Sequence, residues 1–198
     1  IDIAINLINK SNIYPIKAGE ISDIYVGGIF GYINQVEQSI SNIYQNADII
    51  LDMNQRHNLV VNGIGYIKND DINTLITSIT HHGHVEFVHS LDLSSLELTQ
   101  SSLDVSLGLT LEGSATLYGL YQTQNQYLDL SYINNFSGIL TKINDLDLVF
   151  TKAYQKGDLT FITTHELTKQ DINISGIVLG QHYSLEHLRQ EGNLSLNI

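Results

Sequence analysis

From Leu103 to Tyr121 the chain keeps one alternation phase. Leu103, Val105, Leu107, Leu109, Leu111, Ala115, Leu117 and Tyr121 fall on one face, and Asp104, Ser106, Thr110, Glu112, Ser114 and Thr116 on the other. A period of two is the mark of a strand with one buried face. The run is far longer than the usual strand of about five or six residues. It is therefore one very long strand or two strands joined near Gly113, with Gly113 and Gly119 as the natural bend points.

Alternation continues through Leu128, Leu130 and Tyr132, and then from Ile139 to Phe150, where Ile143 is odd and Leu146, Leu148 and Phe150 are even. That phase change at Asn144 and Asp145 predicts a bulge. Lys156, Gly157 and Asp158 predict a hairpin turn into Leu159, Phe161 and Thr163, followed by Leu167, Ile172 and Ile174. The expectation for residues 81–176 is a long antiparallel meander.

The first eighty residues read as mainly helical. Ile5 and Ile8 share a helical face in residues 2–10, and Pro15 forbids continuation. Val26, Phe30, Ile33, Val36, Ile40, Ile43 and Ala47 recur at intervals of three and four, the spacing of a long amphipathic helix over 23–47. Its weak points are Gly27, Gly28 and Gly31, each costing about 1 kcal/mol relative to Ala in a helix. Asn62 and Gly63 predict a hairpin within 59–67; in residues 71–80, Ile72, Leu75, Ile76 and Ile79 fit a helix capped by Asp70 or Asp71, while Leu75, Thr77 and Ile79 fit a strand, which the β-branched content favours. Residues 180–191 predict a short amphipathic helix before a polar tail. The chain is thus expected to be a single α+β domain over 1–198, with a mainly helical part at 1–80, the meander at 81–176, and a short helix and tail at 177–198.

Composition excludes several functions. The net charge is −12, and only Arg56 and Arg189 carry guanidinium groups, so nothing could neutralise a phosphate track and no nucleic-acid partner is expected. There is no cysteine, hence no disulfide, no thiolate metal site and no thiol nucleophile. No apolar run approaches the roughly 18 residues of a transmembrane helix. The chain begins at Ile1 without an initiator Met, which points to processing. Sequons occur at Asn9, Asn135, Asn173 and Asn193, close to the number that a chain so rich in Asn, Ser and Thr carries by chance.

Few residues suggest chemistry. On a strand, His82, His84 and Glu86 share a face, with His81 and His89 beside them, and imidazoles two apart could share a zinc ion. The other reading of this cluster is a solvated face near Gly83, and it is preferred because no second histidine pair completes a site. Gly27, Gly28 and Gly31 lack the Lys of a phosphate loop, and Asp145 and Asp147 beside Asn144 make only half of a calcium loop. No nucleophile elbow or zinc-protease helix occurs. The expectation is a non-enzymatic protein with no catalytic residue, metal or cofactor.

Four segments carry a resemblance. VEFVHSLDLSSLELTQSS, VSLGLTLEGSATLYGLY and SGILTKINDLDLVFTKAYQKGDLTFITTHELTKQDINISG resemble the strands of the TULIP superfamily, the tubular lipid-binding proteins that include takeout, juvenile-hormone-binding proteins and mite group 7 allergens. YPIKAGEIS at 14–22 resembles the short segment after that family's first helix. The missing cysteine pair makes the group 7 type the nearer comparison. The N-terminal part is longer than the family's and the C-terminal helix shorter, so the helix at 23–47 is expected to fill the groove of the family's C-terminal helix.

The resemblance implies a long curved antiparallel sheet wrapped around an amphipathic helix. It also implies an extracellular carrier, its signal peptide removed, that holds a lipid, terpenoid or pigment in a tunnel between sheet and helix. Phe30, Ile33, Leu107, Leu109, Leu117, Leu148, Phe150 and Phe161 are the expected lining, taken from the inward phases. The alternative is a secreted structural or surface-acting assembly protein with a filled core. The sequence leaves the oligomeric state open.

Overall fold

The computed structural model describes residues 7–9, 23–37, 39–52, 58–88, 102–131, 133–144, 146–164 and 171–197. No helix occurs among them, and every ladder between their strands is parallel. The chain is a parallel β-solenoid. After β1 (Leu7–Asn9), each circuit lays down four strands. Coil 1 comprises β2 (Asp23–Gly27), β3 (Phe30–Asn34), β4 (Ser39–Gln45) and β5 (Ile49–Asp52). Coil 2 comprises β6 (Asn58–Asn62), β7 (Gly65–Asn69), β8 (Leu75–His81) and β9 (Val85–Val88). Coil 3 comprises β10 (Leu103–Ser106), β11 (Leu109–Gly113), β12 (Ala115–Gln122) and β13 (Gln126–Asp129). Coil 4 comprises β14 (Asn135–Ser137), β15 (Leu140–Ile143), β16 (Leu148–Gln155) and β17 (Leu159–Ile162). Coil 5 comprises β18 (Asn173–Ser175), β19 (Val178–Leu179), β20 (Tyr183–Gln190) and β21 (Leu194–Asn197).

Equivalent strands stack into sheets. The first, second and third strands of each coil form three unbroken five-stranded sheets, I, II and III; the fourth sheet, IV, is split into β1-β5-β9 and β13-β17-β21. Neighbouring strands of a sheet lie about 4.8 Å apart, so five coils stack to roughly 20–25 Å. The inner columns are aliphatic. Val61, Val105 and Phe136 stack within sheet I, and Ile76, Leu117 and Phe150 within sheet III, each at most 1% exposed.

A fixed kink recurs in sheet III. Asn42, Ser78, Gly119, Lys152 and His187 occupy one column, and all have φ between 54° and 76°. Four of the five are not glycine, and stacking in register with their neighbours holds them in this left-handed region. The kink turns two residues three apart toward the same interior: Ile40 with Ile43, Ile76 with Ile79, Leu117 with Leu120, Phe150 with Ala153, and Leu185 with Leu188.

That geometry corrects the α+β expectation. Residues 23–47 form β2, β3 and β4 instead of a helix, because short strands broken by tight corners and by the kink space their inward residues three or four apart, as a helix does. Gly27 and Gly28, unfavourable in a helix, are required at the first corner, where a Cβ would meet the carbonyl oxygens of Phe30 at 1.9 Å and Gly63 at 2.2 Å. Residues 183–190 are likewise strand β20, not a helix. The only part of the expected helix at 2–10 among the described residues is strand β1.

The expected strands at 59–67 and 71–80 are present, and Gly63 does lie at a turn, but the turn is a corner between sheets and not a hairpin. The long run at 103–121 is three strands of one coil. Its two bend glycines have φ of 120° at Gly113 and 76° at Gly119. The second of these shifts the phase, so that Leu120 is buried and Tyr121 only partly so. Asn144 has φ 70° at the predicted phase change. The antiparallel meander is overturned by the parallel ladders, and with it the TULIP resemblance, whose fold needs a long helix inside a curved antiparallel sheet. Residues 14–22, His89 and Leu167 lie outside the described residues.

Candidate functional site

The interior has two apolar cores. One joins sheets I and IV around Val61, Val105, Phe136 and Phe161; the other joins sheets II and III around Ile67, Leu111, Leu117 and Phe150. Between them coils 1, 2, 4 and 5 are pinched. Gln45, His81, Gln122, Gln155 and Gln190 stack in register at the corner after sheet III. Added Cβ atoms on Gly28, Gly63, Gly138 and Gly176, at the opposite corner, would meet the side chains of Gln45, His81, Gln155 and Gln190 respectively. Each glutamine donates from Nε2 to the carbonyl two residues on, at Ala47, Gln124, Gly157 and Gly192, and so caps its own corner. Gln155 also donates to Gln122 Oε1 at 3.1 Å.

His81 takes the place of a glutamine in this column. Its ring is fully buried, and neither nitrogen has a hydrogen-bond partner. Burial, reinforced by the neighbouring His82 and His84, pushes its pKa down to about 3. The ring is therefore neutral at physiological pH.

The histidine cluster does not converge. His82 Nδ1 lies 2.6 Å from Thr123 Oγ1, and His84 Nε2 lies 2.6 Å from Gln124 Nε2. No group of three candidate ligands among the described residues could hold a metal ion. His84 instead belongs to a corner column with Asp48, Asn125, Asp158 and Asn193. Asp48 accepts from the His84 amide at 3.0 Å, Asn125 from the Asp158 amide at 2.8 Å, and Asp158 from the Asn193 amide at 2.8 Å. Each side chain thereby ties one coil to the next.

A concavity lies where sheet IV splits, and Gln126 bridges the break beside it. In the sequence Gln126 follows the corner glutamine by four residues, where the other coils have Ile49, Val85, Leu159 and Leu194. Its buried amide accepts from Val85 N–H at 3.1 Å and donates to Gly83 C=O at 2.9 Å. A side chain thus stands in for the start of the ladder between β9 and β13. Beyond it the strands diverge around a cleft of about 520 Å³, lined by Asp48, His84, Val85, Glu86, Phe87, Tyr127, Leu128, Asp129, Ile162 and Thr164. Val85 and Leu128 are buried at its base, while Tyr127 is 64% exposed. Asp129 is partly buried, which opposes its ionisation, but bonds from Thr164 and Ser131 outweigh this and hold its carboxyl below the usual range. Glu86 is exposed at the rim.

Six of the eight residues expected to line a tunnel are divided between the two cores. Leu107 and Phe161 lie in the first; Leu109, Leu117, Leu148 and Phe150 lie in the second, with Phe30 packed against it. Those six core members are at most 1% exposed. Phe30 and Ile33 sit in coil 1 and are only partly buried. None of the eight lines the cleft. The cleft residues carry no motif of their own; Gln126 stands out only once the coils are aligned on QNADI, HHGHV, QTQNQ, QKGDL and EGNL. No protein-family model, curated protein or solved structure matches the chain.

Proposed function

We propose that the chain is a structural or surface-acting solenoid module of a secreted protein, working through its outer faces. The observation that carries this reading is the filled interior: the inward columns pack on one another in two cores, and the pinch between them separates the space that a continuous tunnel would need. The tunnel between sheet and helix, on which the carrier expectation rests, has no counterpart among the described residues, because they contain no helix. The exterior supports the same reading. It displays Tyr25, Tyr32, Tyr44, Tyr118, Tyr127 and Tyr183, each at least 38% exposed, among Asn, Ser and Thr. Stacked coils contact only their neighbours, so such a fold suits extension and display along an axis. Among the described residues no helix is long and apolar enough to cross a membrane.

Native mass spectrometry of the purified chain, followed by solvent extraction, tests the proposal. The expected result is polypeptide mass with no stoichiometric apolar compound. A lipid, terpenoid or pigment recovered at one equivalent would overturn it in favour of a carrier.

A further inference from the structure

We propose that the furrow where the outer faces of sheets I and II meet holds a neutral oligosaccharide, with Tyr25 and Tyr32 as its stacking platform. The furrow follows from the strands themselves. Val61, Val105 and Phe136 point inward, so by alternation Asn62, Ser106 and Ser137, one residue on, point outward. All three are nevertheless at most 1% exposed. The outer face of sheet II covers them: Thr110 Oγ1 donates to Asn62 Oδ1 at 2.7 Å, and Ser137 Oγ lies 2.8 Å from Thr141 Oγ1. The two outer faces therefore fold toward each other along the axis, over a floor of hydroxyl and amide groups.

At the coil 1 end the floor gives way to rings. Tyr25 from sheet I and Tyr32 and Tyr66 from sheet II gather with centroids 4.8 to 5.3 Å apart. Tyr32 stacks on Tyr66 at 20°, and Tyr25 stands edgewise to Tyr66 at 69°. Tyr66 is buried, whereas Tyr25 and Tyr32 remain 38% and 45% exposed. Polar groups are fixed beside them. Glu112 accepts from the Tyr66 hydroxyl at 2.7 Å on one oxygen and from Lys68 Nζ at 2.9 Å on the other. A carboxylate oxygen has two acceptor sites, so each can take a further hydroxyl. Asn34, exposed and in register with Lys68, extends this row.

These groups define the occupant. Ring faces attract the polarised C–H face of a sugar, and the fixed carboxylate, ammonium and amide suit its hydroxyls. Lys68 and Glu112 are paired, so together they favour neither a basic nor an acidic ligand. The apolar surface is confined to the ring faces, which is too little to hold a lipid. Coils 1 to 3 carry the rings and Glu112 over about 10 Å, the length of a short oligosaccharide. The inference rests on the reading of the outer faces as the working surface.

An array of immobilised neutral and anionic oligosaccharides, probed with the chain labelled at its N-terminus, tests the site, and isothermal titration calorimetry measures each glycan bound. Binding to neutral glycans is expected. Tyr32→Ala should weaken it at least tenfold and Glu112→Gln several-fold. Tyr32→Phe, which keeps the ring, and Tyr183→Ala, in coil 5, should leave it unchanged. Tyr32→Leu, which keeps apolar bulk without the ring, should weaken it as Tyr32→Ala does and decides the matter if the alanine variant melts early. Failure to bind any neutral glycan overturns the proposal. So does binding confined to sulfated or uronic glycans, or equal weakening by Tyr32→Ala and Tyr183→Ala. Any of these results on a chain free of apolar compound removes the sugar site and leaves the reading of the outer faces in place. A stoichiometric apolar compound removes that reading itself.

Discussion

Gly63 and His81 meet across the pinch of coil 2: a Cβ on Gly63 would lie 2.6 Å from His81 Cδ2 and 1.9 Å from the Leu107 carbonyl oxygen. The absence of one side chain admits the other. The imidazole fills space at the cost of two unsatisfied nitrogens, whereas the glutamines of this column each cap a corner carbonyl.

Gly63→Ala should therefore destabilise the fold by about 3 kcal/mol or more, the upper end of overpacking penalties, since one obstruction is backbone that cannot rotate away. Gly31→Ala, whose Cβ meets only the Tyr25 carbonyl at 3.2 Å, should cost much less. Urea denaturation of the two variants checks the order.

His81 makes stability depend on pH. Its folded pKa of about 3 lies below the ordinary value of 6.5, so between these limits the unfolded chain binds a proton that the folded chain refuses. Stability is fully present above about pH 6.5 and falls as the pH is lowered toward 3, by at most about 5 kcal/mol from this residue. His81→Gln should flatten that part of the profile and raise stability at pH 4 relative to the parent. Denaturation midpoints for both chains at pH 7 and pH 4 measure the difference, and the carboxylates common to both cancel.

Asp158→Ala should loosen the junction between coils 4 and 5. The substitution removes acceptance from the Asn193 amide and from Asn193 Nδ2 at 3.2 Å, at a cost of about 1–2 kcal/mol. The Asn193 amide should then lose its hydrogen-exchange protection, while the amides of coil 2 keep theirs.

Phe150→Ala should cost about 3–5 kcal/mol, as expected for an aromatic ring removed from a closed core. Phe30→Ala should cost distinctly less, because the Phe30 ring is only partly buried in coil 1. Thermal melts of the pair test whether the core is packed most tightly at its middle coils.

Alternation made the strands of coils 3 and 4 legible, along with the bends at Gly113, Gly119 and Asn144, because inward Leu and Val report burial directly. Two features hid the solenoid. Inward pairs such as Ile40 with Ile43, and Leu185 with Leu188, mimic helical spacing because a left-handed residue lies between them. Successive coils are also offset by 35, 44, 31 and 38 residues, from Asp23 to Asn58, Leu59 to Leu103, Asp104 to Asn135 and Asn135 to Asn173. Unequal offsets blur a period that the corner segments QNADI, HHGHV and QKGDL preserve. Pairing direction has no local signature, since a corner glycine suits a hairpin and a solenoid equally.

The unequal coil lengths also set how the solenoid yields to force. Its ladders lie along the axis, so tension between the two ends strips one coil at a time. Each coil released pays out 31–44 residues, about 100–150 Å of slack at full extension. A molecule held at both ends would give way in discrete steps of differing length, and the remaining coils would continue to bear the load.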